Sequence, residues 1–205
     1  EAAWRDARIT RIYEGTNEIN RMLCVGMLIK KAMKGHVDLL NPAMAVAEEL
    51  TGIPSFETPD YSEALAQEKA LVASMKKVFL MVAGHAVQTF GPELEEHQQL
   101  LLAAADIMIA TYMSESALLR AQKTLSQDPD KGQAQAELVQ LYIYNAVDQV
   151  QKKAKEAIIS ASSGDEQRMM LMGLKRFTKY KAYPNIVSLR ERIAERVIAA
   201  NTYPF

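Results

Sequence analysis

Residues 100–126 read LLLAAADIMIATYMSESALLRAQKTLS, an unbroken run without proline or glycine set between Pro92 and Pro129. Leu, Ala, Met, Gln, Lys and Arg have the best helix propensities, and the run lacks the period-two alternation of a half-buried strand. It predicts one long helix, opened by Pro92 and continuing to about Ser126. The stretch between Pro129 and Pro184 has the same character. Gln-Asp-Pro-Asp-Lys-Gly over 127–132 is turn chemistry, and a second long helix is expected from about Gln133 to Ser160. Upstream, 62–90 reads as a long helix ended by Gly91. Downstream, Ser163-Gly164-Asp165-Glu166 starts a helix carrying Met169 to Tyr180, and Pro184 starts the last one, which runs to about Asn201. Long helices joined by short turns pack as antiparallel neighbours, so 61–205 is predicted to be an up-and-down helical bundle, and the fold class all-α.

Nearer the start, Thr16 to Lys34 has apolar residues at Ile19, Met22, Leu23, Met27, Leu28 and Ile29 and ends on Gly35. Asn41-Pro42 fits an N-cap and first helical residue for a short helix that Gly52 stops. Residues 53–60, Ile-Pro-Ser-Phe-Glu-Thr-Pro-Asp, read as a linker between a first part, 1–52, and the bundle, 61–205. The opening Glu1-Ala2-Ala3-Trp4-Arg5-Asp6 has no initiator methionine and reads as the middle of an element, so a fragment of a longer polypeptide is expected.

Composition narrows the function classes. Half the residues are apolar, enough for a core, and the net charge of −1 gives no reason to expect nucleic acid as a partner. A single cysteine, Cys24, excludes an internal disulfide, and with three scattered histidines it predicts a reducing compartment and no metal site. Charges interrupt the apolar residues too often for the roughly 20-residue span that a membrane helix needs, which predicts a soluble protein. A bacterial cytoplasm is the favoured location, and a mitochondrial matrix also fits.

The most specific stretch is Arg5-Asp6-Ala7-Arg8-Ile9-Thr10-Arg11-Ile12-Tyr13-Glu14-Gly15-Thr16-Asn17-Glu18-Ile19. An Arg-Asp pair, two spaced isoleucines, an aromatic residue, Glu-Gly-Thr, and an acid before Ile stand in register with the C-terminal signature of the FAD-dependent acyl-CoA dehydrogenases, which this segment closely resembles. Residues 1–52 then correspond to the C-terminal end of the catalytic helical domain. The continuation through 61–205 is similar, by length, position and helical character, to the helical C-terminal extension of the very-long-chain type.

The resemblance implies oxidation of an acyl-CoA to a trans-2-enoyl-CoA in fatty acid β-oxidation, with FAD as hydride acceptor. Glu14 falls at the family's base position, where a carboxylate removes the α-proton. Such a base works best with its pKa raised toward the operating pH by burial, here by Tyr13 and the acyl chain. The Glu14 N–H is implied as a donor to the thioester carbonyl. Gly15 is implied as a substrate-binding residue, and Thr16, Asn17 and Glu18 as FAD contacts at a helix N-terminus, with Glu18 acting through its backbone. A glutamate here points to a straight-chain rather than a branched-chain type. The partners implied are an acyl-CoA substrate, an electron-transferring flavoprotein and a second copy in a homodimer, with membrane-surface association as a further option. The fragment alone is expected to be inactive.

Blander readings stand beside these. Arg5, Arg8 and Arg11 suit a solvated face, and Cys24 reads as packed core. His85 and His97 read as surface or satisfied core positions rather than ligands. Lys30, Lys31 and Lys34 are accounted for by the helix macrodipole, with an anionic membrane surface as the alternative. Met169-Met170-Leu171-Met172 reads as adaptable core. The competing function is a non-catalytic helical module for dimerisation or for membrane or partner interaction.

Overall fold

The computed structural model describes residues 1–52, 61 and 63–205, and the expected linker at 53–60 lies outside the described residues. Among the described residues there are eight α-helices and no strands: α1 (Ala2–Ile9), α2 (Asn17–Met33), α3 (Leu40–Thr51), α4 (Ala66–Phe90), α5 (Gln98–Gln127), α6 (Pro129–Ala161), α7 (Gly164–Phe177) and α8 (Ile186–Ala200). The three longest, α4 to α6, pack on one another. To them are added α7 against α4 and α6, α8 against α6, α3 against α4 and α7, and α2 along α5.

Small side chains let the long helices approach. Ala103, Ala104, Ala105, Ala110 and Ala121 of α5 and Ala146, Ala154 and Ala157 of α6 are buried, and between them lie Met75, Val78, Ile107, Ile143 and Val150 with no exposed surface. Each large apolar side chain taken fully out of water contributes about 1.5–3 kcal/mol. Val25 of α2 and Val46 of α3 belong to the same core cluster, so the first part of the chain is packed onto the bundle.

Several junctions depart from the sequence expectation, each for a local reason. The turn expected over 127–132 is a single residue, Asp128. It ends α5 with an extended backbone and caps α6, its carboxylate accepting from the Lys131 N–H at 3.1 Å, while Pro129 takes the first helical position. The helix expected to run on from Pro92 is interrupted: Gly91–Glu96 forms a 3-10 turn that ends at His97, and α5 begins at Gln98. Leu94 is buried in that turn and the Phe90 and His97 rings pack at a tilt with centroids 3.8 Å apart, which holds the reversal between α4 and α5. The start of α4 is delayed to Ala66 because Leu65 adopts the left-handed region (φ +64°) while its side chain is buried. In α3, which begins at Leu40, Asn41 is already helical, and the capping carboxylate is that of Asp38, which accepts from the Asn41 N–H at 3.2 Å.

Cys24 is exposed rather than packed. Helix α2 turns Val25 inward, with Met22, Leu28 and Ile29 against the core, and this rotation carries Cys24 outward with Ile19, Leu23 and Met27. Arg5, Arg8 and Arg11 are exposed as expected. The methionine run divides by helical period, with Met170 buried and Met172 exposed. Contrary to the expectation that no run is apolar enough to cross a membrane, the segments 66–96 and 98–127 each hold a window long and apolar enough by length and composition alone. Half of each window is buried inside the bundle.

Candidate active-site turn

Between α1 and α2 the chain turns sharply through Thr10 to Thr16, and two consecutive residues there have positive φ: Glu14 (+53°) and Gly15 (+91°). A non-glycine residue in the left-handed region carries strain and persists only where its surroundings hold it. Three contacts hold it here. The Asn17 N–H reaches back to the Arg11 carbonyl at 3.2 Å. The Thr16 hydroxyl caps α2 by accepting from the Ile19 N–H at 3.2 Å. The Asn20 side-chain amide donates to the Gly15 carbonyl at 2.8 Å.

The φ of +91° already favours a residue without a side chain at position 15, and Asn20 adds a contact. A Cβ built on Gly15 would fall 2.6 Å from the Asn20 Oδ1. On this side of Gly15, the implied substrate-binding residue, the space is filled by Asn20. That residue was not singled out from the sequence. The signal was present, since Asn side chains readily bond nearby backbone and this one stands four residues past the cap.

The sequence-predicted residues Glu14, Gly15, Thr16, Asn17 and Glu18 lie together on this turn and on the first turn of α2. The Glu14 and Tyr13 side chains are both exposed. Among the described residues the Glu14 N–H and the Glu18 N–H have no hydrogen-bond acceptor, so the turn presents a free carboxylate beside free backbone donors. Donors at a helix N-terminus suit an anionic group. The Glu18 carboxylate would oppose a phosphate, which leaves its backbone as the suitable part.

The turn is tied to the bundle through the next residues of α2. Arg21 Nε lies 3.0 Å from Asp106 Oδ1 of α5, an ion pair without hydrogen-bond alignment, and Lys153 Nζ of α6 lies 3.2 Å from the other carboxylate oxygen. These side chains and Glu18 line a cavity of about 350 Å³. At the other end of α2, Lys30 pairs with Glu95 at 2.8 Å, in keeping with cations at a helix C-terminus. That pairing holds the exposed Glu95 carboxyl below its usual range.

A second, larger groove of about 630 Å³ runs between α2, α3, α4 and α7 and is lined mainly by apolar side chains such as Met33, Leu40, Met44 and Leu80. His85 stands at its edge, with Nδ1 3.3 Å from Glu166 and Nε2 3.1 Å from the Ala161 carbonyl, a satisfied, half-buried histidine as expected. His97 packs at a tilt against Phe90.

The chain is an all-α bundle preceded by a Glu-Gly turn of positive φ at a capped helix start. Residues 74–176 match the family model described as acyl-CoA dehydrogenase, C-terminal domain, and the chain belongs to the acyl-CoA dehydrogenase family. It is 36% identical over 204 residues to a probable acyl-CoA dehydrogenase of Bacillus subtilis (strain 168), an alignment covering 99% of this chain and 34% of that protein. The crystal structure of an acyl-CoA dehydrogenase complexed with FAD from Bacillus anthracis superimposes with a TM-score of 0.89 at 37% identity, over 96% of this chain and 33% of that one. The chain therefore spans about a third of the length of these relatives.

Proposed function

We propose that this chain is the C-terminal part of an FAD-dependent enzyme of straight-chain acyl-CoA β-oxidation, in which Glu14 removes the α-proton of the substrate. The observation that carries this reading is the backbone of Glu14. Its positive φ is held by contacts from Thr16, Asn17 and Asn20, and strain maintained in this way is characteristic of functional positions.

In this reading the acyl-CoA lies against the Glu14–Gly15 turn. The Glu14 carboxylate takes the α-proton, and the free Glu14 N–H donates to the thioester carbonyl, where negative charge develops as the proton leaves. The backbone at Thr16, Asn17 and Glu18 would hold FAD, which when bound supplies a hydride acceptor. Glu14 is exposed in this chain, so the water exclusion that tunes such a base comes from the substrate and from the parts that the longer relatives possess. The 205 residues alone are inactive for that reason.

The division at 53–60 separates the end of the catalytic helical domain from the bundle. The bundle covers that domain within a homodimer, and the electrons pass on to an electron-transferring flavoprotein. The apolar side chains exposed on α1, the turn and α2, among them Trp4, Ile12, Ile19 and Leu23, support a covering by further protein.

The test is an anaerobic titration of the full-length protein, wild type and Glu14→Gln, with a long-chain acyl-CoA while following the visible absorption of bound flavin. Bleaching of the wild type alone is expected. Equal bleaching of both moves the base elsewhere, and a full-length protein that binds no flavin gives way to the non-catalytic helical module.

A further inference from the structure

Strain at Glu14 needs a restraint, and its sources are not equivalent. The Thr16 cap acts on the far side of the turn, and the Asn17 N–H bonds to Arg11 from the backbone alone. Among the described residues the one side chain that grips the strained pair itself is Asn20, whose Nδ2 donates to the Gly15 carbonyl at 2.8 Å while its Oδ1 occupies the place a Gly15 Cβ would need. Asn20 lies one turn into α2, so its own position depends on how that helix is seated. Besides the burial of Val25 and the Lys30–Glu95 pair, the adjacent Arg21 ties α2 to the bundle: Asp106 of α5 lies 3.0 Å from Arg21 Nε, and Lys153 of α6 lies 3.2 Å from Asp106. The Asp106 side chain is only 16% exposed, which shields this pairing from solvent more than an ordinary surface pair. A continuous set of contacts thus runs from the bundle to the carbonyl next to Glu14.

We propose that Asn20 is a positioning residue for the Glu14 carboxylate, and that Asp106, through Arg21, makes the helical bundle part of the same restraint. This rests on the reading of Glu14 as the base. It gives the bundle a task beyond covering the catalytic domain, which is to set the angle at which α2 presents the turn. A base displaced by about 1 Å from its target loses on the order of 100-fold in rate, so a restraint on the backbone beside it matters to turnover more than to binding.

The experiment uses the full-length flavoprotein with Glu14→Gln, Asn20→Asp and Asp106→Asn. Asn20→Asp keeps the size of the side chain and replaces the donor with an acceptor, while Asp106→Asn keeps the shape and removes the charge. The readouts are kcat and KM for a long-chain acyl-CoA, and amide hydrogen exchange across residues 14–17. For Asn20→Asp, kcat is expected to fall about 10- to 100-fold with KM essentially unchanged, and exchange at the Asn17 amide to quicken. Asp106→Asn is expected to show a smaller fall of the same kind. If Asn20→Asp lowers thermal stability but leaves kcat and the exchange pattern as in the wild type, Asn20 is structural only and the proposal is overturned. Should kcat stay unchanged in Asp106→Asn alone, the bundle's share in it is refuted. Full turnover by Glu14→Gln removes the base reading and this inference together, an outcome recognisable because it appears in that variant.

Discussion

Replacing Gly132 with alanine tests the one-residue corner that joins α5 to α6. A Cβ at this position would lie 2.4 Å from the Leu125 Cα, 2.5 Å from its backbone nitrogen and 2.9 Å from its Cγ. Two of those three atoms are backbone and cannot swing aside. Carbon atoms in contact sit at about 3.5–4.0 Å, so the first turn of α6 would have to retreat from α5 by roughly 1 Å. Overpacking of this kind costs about 1–3 kcal/mol, while alanine returns about 1 kcal/mol of helix propensity. With backbone as the obstacle the cost lies at the upper end, for a net loss of about 2 kcal/mol. In a chain of this size that lowers the melting temperature by about 4–8 °C. Gly26, inside α2 with nothing within 4 Å of its Cβ position, supplies the opposite case. Gly26→Ala should stabilise by about 0.5–1 kcal/mol. Thermal unfolding followed by helical circular dichroism measures both. A Gly132→Ala protein that melts at or above the wild-type temperature would refute the reasoning.

Two carboxylates with opposite shifts make pH-dependent predictions. Burial pushes the Glu137 carboxyl up, but hydrogen bonds from Arg196 and Arg192 of α8 and their positive charges outweigh it and hold it below its ordinary value of 4.5. Its stabilising contribution is therefore complete above that value and is lost as the pH falls through the lower folded one. Glu137→Gln should cost about 1–2 kcal/mol at neutral pH, allowing for solvent screening of the half-exposed arginines, and its unfolding curve should converge on the wild type in acid. Glu68, at the start of α4, is 4% exposed, and burial raises its pKa against the opposing effect of its own backbone N–H. Here the ionised form is the less favourable one in the folded state, so the penalty exists at neutral pH and fades as the pH falls through the raised value. Glu68→Gln should melt higher than the wild type at neutral pH, with the gap closing in acid. An equal gap at both pH values would show that it arises from packing rather than charge.

The long helices were legible because helix propensity, proline at a first turn and glycine at a terminus act over a few neighbouring residues. The 100–126 run, the stop at Gly91 and the helix from Thr16 to Lys34 appear in the structure where those local rules put them, to within a residue or two. The errors in helix boundaries fall at junctions. Gln-Asp-Pro-Asp-Lys-Gly has the composition of a loop, yet it spends one residue on the turn because Asp128 both ends one helix and caps the next. Leu65 in the left-handed region gives no local sign of itself, since its conformation follows from the burial of its side chain. The candidate site was legible as a set of residues, Glu14 to Glu18, through its resemblance to a family signature. Its geometry was not, because the positive φ of Glu14 and the grip of Asn20 on Gly15 depend on how the chain closes on itself.

By itself the sequence determined that the chain is helical, which stretches form the long helices, and the family to which it belongs, because these follow from short-range preferences and a motif read in register. Which face of each helix is covered was decided only by the tertiary structure. The apolar residues of α2 occupy more of its circumference than one contact can bury, and packing chose Val25 for the core while sending Cys24, Leu23 and Met27 outward. The same choice brought Arg21 to Asp106 across more than eighty residues of chain. It also drew Glu137 to two arginines on the last helix, encounters that no local pattern encodes because each needs both helices already in place.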